Sequence, residues 1–191
     1  MPGPDPHTLQ PDEAEQYLFG DTLVSIESLP VRLVAVSAAS SGDVQARAEW
    51  LLRLLGQIES GAPEHDEEHT DPSLRRIEAK LDLALDLLSS VLVSTRSSAL
   101  TVDLRWSHLG VSFVSPQSSP IDRSGVLHLY LRSWLPSPLE LPVRQLAQAS
   151  DVGGERLWLA FQLDQPGLQR ALDKLLFRQH RRHIAQTRRE L

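Results

Sequence analysis

The sequence predicts an α+β fold: a small antiparallel barrel or sandwich, interrupted after its first strand by a two-helix hairpin and closed by a C-terminal helix. Three observations carry this expectation. Between Pro72 and Val93, Leu74, Ile77, Leu81, Ala84, Leu88 and Val91 recur at alternating steps of three and four, the a/d seam of a coiled coil. Val44, Ala48, Leu51, Leu55 and Ile58 keep the same rhythm a short loop earlier, which makes a coiled-coil hairpin. From Leu100 onward the apolar period falls to two, and short strands follow one another without helices between them.

In chain order, residues 1–20 are rich in Pro, Asp, Glu and Gln and read as a flexible N-terminal tail, with Tyr17-Leu18-Phe19 docking onto the body. Residues 21–191 read as one domain. Thr22–Ile26 and Val31–Val36 are β-branched runs around Leu29-Pro30, either one kinked strand or two short ones. Ser40, Ser41 and Asp43 offer caps for the first helix, which Gly61-Ala62-Pro63 ends. Asp71-Pro72 starts the second with a cap and an early proline. Leu100–Leu104, Val111–Val114, Val126–Leu131, Leu139–Ala149 and Leu157–Leu163 alternate as strands, with Gly153-Gly154 as a hairpin turn. Pro166-Gly167 opens the last helix, whose apolar face is Leu168, Leu172, Leu175, Leu176 and Phe177. The barrel is therefore placed at 22–36 and 99–163, the helical insertion at 42–95 and the C-terminal helix at 166–190.

Composition narrows the function. A chain of 191 residues suits one domain, and its formal charge of −6 argues against nucleic acid as a partner. No apolar run is long enough to enter a bilayer, because Asp82 and Asp86 interrupt the Leu-rich helix. Met1–Gln10 lacks the apolar core of a cleaved signal, and the absence of cysteine excludes thiol chemistry and fits a reducing cytoplasm. The cluster of His65 and His69 with Asp66, Glu67 and Glu68 reads as a solvated acidic loop rather than a metal site. His180 and His183, one turn apart among basic neighbours, read as a solvated or phosphate-facing surface. Arg178, Arg181, Arg182, Arg188 and Arg189 gather at the end of the last helix, where they suit its dipole or an acidic loop on a neighbouring copy. Ser107 and His108 are chain neighbours without a nucleophile elbow, and no phosphate-cradling glycine loop occurs, so neither an enzyme nor a catalytic residue is expected.

At Arg105-Trp106-Ser107-His108-Leu109-Gly110, followed by the strand Val111-Ser112-Phe113, the chain resembles the PilZ domain family, which carries a D/N-x-S-x-x-G corner between two barrel strands. Ser107 and Gly110 match its last two fixed positions. The later strand order and the helix ending in Gln179-His180-Arg181-Arg182-His183-Ile184-Ala185 are also similar to the family's. The resemblance covers roughly 22–36 and 99–191 and implies a six-stranded barrel with a C-terminal helix and a role in cyclic di-GMP signalling. It further implies regulation of motility, type IV pili, exopolysaccharide or virulence in bacteria, in company with another signalling or pilus-assembly protein.

Two departures from the family pattern shape the expectation. The R-x-x-x-R segment that grips the ligand is missing, since no Arg or Lys precedes Arg32. The acidic or amide position of the corner is Arg105, which cannot accept a hydrogen bond from a guanine edge. The chain is therefore expected to bind cyclic di-GMP weakly or not at all, without another cofactor or metal, and to act by assembly. The alternatives are a functional receptor with Arg32, Arg105, Ser107 and Gly110 at the ligand, and a purely structural scaffold. The expected oligomer interface is Val44, Ala48, Trp50, Leu51, Leu55 and Ile58 on the first helix of the hairpin with Leu74, Ile77, Leu81, Ala84, Leu88 and Val91 on the second. Leu at a with Ile or its like at d leans toward more than two strands, and four copies are expected.

Overall fold

The structure is a computed structural model that describes residues 9–35, 41–60, 72–93, 99–116, 121, 123–132, 135 and 137–187, without the side chains of 41, 60, 72, 75, 89–93 and 182–187. The loop bearing His65 and His69, the side chains of Val91 and His183, Trp134, and Arg188 and Arg189 lie outside it.

Six antiparallel strands close a barrel in the order β1-β2-β3-β6-β5-β4. They are β1 (Ser25–Ala35), β2 (Leu100–Trp106), β3 (Gly110–Ser115), β4 (Ser124–Leu129), β5 (Leu139–Asp151) and β6 (Gly154–Phe161). The alternation that predicts them is the alternation that fills the interior: Leu104, Trp106, Val111, Phe113, Leu127, Leu141, Leu157 and Leu159 are all buried. Of the two readings of this region, one continuous strand is correct over Ser25–Ala35, and Val36 lies outside the described residues. β1 exchanges partners midway, with Ser25–Val31 against β2 and Val31–Ala35 against β4. Pro30 sits at that exchange, where its carbonyl accepts from the Tyr130 N–H at 3.1 Å. The β5–β6 hairpin turns at Gly153, with φ of +92°, and Gly154, where a Cβ would lie 1.9 Å from the Ser115 carbonyl oxygen.

The insertion between β1 and β2 consists of α2 (Ser41–Ser60) and α3 (Pro72–Val93). α2 lies against β5, α4 (Pro166–Thr187) and α3. Its Ala48, Leu51, Leu52, Leu54 and Leu55 are buried there. The buried Gln45 of α2 also accepts from the Asp164 N–H at 2.8 Å and the Gln165 N–H at 3.3 Å, so a side chain of the insertion satisfies donors at the start of α4. The far end of α2 is held by Arg132, whose Nε and Nη2 reach Glu59 at 2.8 and 2.6 Å.

Two expectations are corrected here. Residues 11–19 of the supposed tail form a helix, α1 (Pro11–Phe19), with Ala14, Leu18 and Phe19 buried against the barrel. Its polar composition disguises a good helix start: Pro11 takes the first turn and Gln10 and Glu13 exchange capping-box bonds. Of the three residues expected to dock, Tyr17 faces solvent. In α4, Leu168, Leu172, Leu175 and Leu176 are buried, whereas Phe177 faces outward with the Arg181 guanidinium 5.9 Å from its ring.

Candidate interaction sites

α3 has two apolar faces. Ala79 and Leu83 are buried, Leu87 is partly buried against the core, and Asp86 accepts a hydrogen bond from Ser137 at 2.7 Å, which ties that face to the body. The heptad seam points elsewhere. Leu74, Ile77, Leu81 and Leu88 are 48–64% exposed, Ala84 is exposed between them, and exposed Leu85 widens the stripe. Residues three and four apart share one side of a helix, so these side chains form one continuous apolar band along α3.

The α2 half of the expected interface is not on the surface. Ala48, Leu51 and Leu55 are within the chain's own core, Val44 and Ile58 are half-buried, and only Trp50, 37% exposed, remains at the surface. The two seams therefore do not zip against each other. Leu52 and Leu54 give α2 a wide apolar face, and a wide face is satisfied by a barrel wall and a neighbouring helix rather than by a narrow coiled-coil partner.

At the corner between β2 and β3, Ser107 is fully buried. Its Oγ donates to the Leu18 carbonyl at 2.7 Å and accepts from the Leu109 N–H at 3.1 Å. The hydroxyl proton is committed to α1, while the adjacent His108 faces Asp173 at 3.9 Å. Arg105 pairs with Glu15 of α1 and lies 4.5 Å over the Phe19 ring. A Cβ on Gly110 would lie 2.1 Å from the Leu159 carbonyl oxygen and 2.7 Å from Leu18 Cδ2. Glycine is required here by strand packing before any ligand is considered. Gly110→Ala is expected to cost about 1–3 kcal/mol by forcing β3 from β6, a loss that differential scanning calorimetry reads without nucleotide present.

Arg32 is elsewhere. On β1 it stands in register with His128, whereas Arg105 pairs with Ile26 at the strand's other end. Six residues of strand separate those two β1 positions by about 20 Å, so the structure does not bring Arg32 and Arg105 to one anion. Sequence order alone hid this, because register along a long strand was not legible in it.

His128 lies 3.8 Å from Glu140, which also faces Arg47 of α2 at 3.7 Å. Burial lowers the His128 pKa from the usual 6.5, against the pull of Glu140 and with the help of the Arg32 charge. An imidazole depressed on folding binds fewer protons folded than unfolded. Its contribution to stability is complete above pH 6.5 and is lost as pH falls from there through the folded value. Urea midpoints at pH 7.5 and pH 5 are expected to differ less in His128→Gln than in the unaltered chain.

A family model described as tPilZ, atypical PilZ domain, cyclic di-GMP receptor, matches residues 52–189. Among solved structures, the chain is similar to a pathogenic protein from Xanthomonas campestris, described as a new tetrameric PilZ domain self-assembled via an unusual helical bundle. The two are 37% identical, the match covers 92% of this chain and 97% of that one, and the TM-score is 0.72. No curated protein matches.

Proposed function

The chain belongs to the atypical PilZ domain family, and from that membership we propose that it is a non-catalytic adaptor of cyclic di-GMP signalling that assembles through α3 into a tetramer. The observation that carries this reading is the exposed band Leu74, Ile77, Leu81, Leu85 and Leu88. Each such side chain gains roughly 1.5–3 kcal/mol when removed from water, and a band this long on one chain is a surface for other chains. Its heptad spacing suits sister helices, and the similar Xanthomonas protein is tetrameric through a helical bundle. Four copies of α3 form the centre of the assembly, with the barrels outside.

The barrel of this adaptor takes up cyclic di-GMP weakly or not at all. Two features support this: the corner Arg105 is already paired with Glu15, and Arg32, the other arginine expected at the ligand, stands far from it. The output is exerted on another signalling or pilus-assembly protein, in motility, type IV pili or virulence, as the family setting suggests. Light scattering on the intact chain is expected to give the mass of four subunits, and a single-chain particle at micromolar concentration would overturn the assembly reading. Calorimetric titration with cyclic di-GMP is expected to give no binding heat. A micromolar constant would return the chain to the receptors.

A further inference from the structure

A row of outward-facing residues crosses the barrel in register: Arg105 on β2, Ser112 on β3, Trp158 on β6 and Ala147 on β5. Side chains on the outside of a barrel are ordinarily wet, yet Ser112 and Trp158 are only 2% and 6% exposed. α1 covers them. Its Glu15 carboxylate pairs with Arg105 and accepts from Trp158 Nε1–H at 2.7 Å. Leu18 and Phe19 pack against Leu146, Ala147, Trp158 and Ala160. Ser107 donates to the Leu18 carbonyl, one of the last of the helix, which caps its C-terminal end. A carboxylate, an apolar pair and a helix end are thus each met by a dedicated group of the barrel.

We infer that this face is a docking site for an acidic amphipathic helix of a partner protein, held closed by α1 as its occupant in cis. The occupant's chemistry states the partner's: a helix of the pattern Glu-x-x-Leu-Phe, as Glu15 to Phe19 read here. The fit of α1 is incomplete in one respect. The Ser112 hydroxyl, buried in register between the two residues that Glu15 binds, has no hydrogen-bond partner among the described residues. A buried hydroxyl left unpaired is a standing cost, and a helix that brings an acceptor to Ser112 as well as to Arg105 and Trp158 displaces α1. The site does not depend on the assembly of α3.

The test uses the full chain and a fluorescein-labelled, acetylated and amidated peptide of residues 9–20 as the probe. Glu15→Gln loosens the cis helix and is expected to raise peptide affinity at least ten-fold over the unaltered chain. Adding Arg105→Ala is expected to remove that gain. Equal affinity for the unaltered and Glu15→Gln chains, or no binding to a Glu15→Gln chain of unchanged circular dichroism, would make α1 a fixed part of the barrel and overturn the inference. So would displacement of the peptide by cyclic di-GMP, which would identify a nucleotide site. Hydrogen exchange on the unaltered chain tests the same point without substitution: α1 amides are expected to exchange well before those of β3 and β6, and equal protection would overturn the inference.

Discussion

Leu81→Asp and Leu88→Asp, made singly, are expected to take the particle from four chains to one while each chain stays folded. Both side chains are more than half exposed on an isolated chain, so there a carboxylate replaces apolar surface that water already touches, and folding is little affected. Inside a bundle the same carboxylate sits in a desolvated seam beside its copies from the sister chains. Burying one ion costs several kcal/mol after relaxation, like charges at close range add to it, and the leucine's burial is lost as well. Every copy carries the change, so the cost is repeated at each subunit. Light scattering reads the mass, and far-UV circular dichroism reads the fold on the same sample. A variant that keeps both the mass and the melting point of the unaltered chain would place these positions outside the interface.

How the heptads distribute explains which parts of the molecule were legible in the sequence. The spacing of Leu74, Ile77, Leu81 and Leu88 correctly predicts a helix, and the family resemblance correctly predicts the barrel, because period is a local property. Which surface a heptad meets is not local. Ala48, Leu51 and Leu55 carry the same rhythm as α3 but are buried within the chain. The signal that separates the two helices was present. Leu52 widens the α2 face on the side of Gln45, which joins α4, and Leu54 widens it on the opposite side, whereas α3 keeps charged Arg76, Glu78, Lys80 and Asp82 exposed around its band.

α1 was the larger omission. Pro, Asp, Glu and Gln in residues 1–20 match the composition of a tail, and that composition outweighed the capping pattern Gln10-Pro11-Asp12-Glu13 followed by Ala14, Leu18 and Phe19 on one side. The omission changes the meaning of the corner. Without α1, Arg105 is a basic residue awaiting an anion. With it, Arg105 already has a carboxylate and an aromatic face, supplied from one helix at a spacing of four. Trp158 gives its indole N–H to the same carboxylate. These contacts join residues about ninety and more apart in the chain, so neither partner could be inferred from its own neighbourhood.

Leu55→Ala separates the two roles of the inserted helices. Leu55 is 2% exposed in the core that α2 shares with the barrel and α4. Truncation removes buried methyl groups and leaves a cavity between a strand wall and two helices, which cannot close around it without moving all three. The expected cost is about 2–5 kcal/mol, a fall in melting midpoint of roughly 4–20 °C for a chain of this size. The mass of the folded particle is expected to be unchanged, because the band on α3 is untouched. Leu81→Ala is the mirror experiment: it creates no cavity in an isolated chain, so its loss appears as dissociation at a concentration where the unaltered chain stays assembled. If Leu55→Ala instead dissociated the particle and left the melting midpoint in place, α2 would belong to the intermolecular seam, and the division of labour between one helix that builds the fold and one that gathers the copies would be wrong.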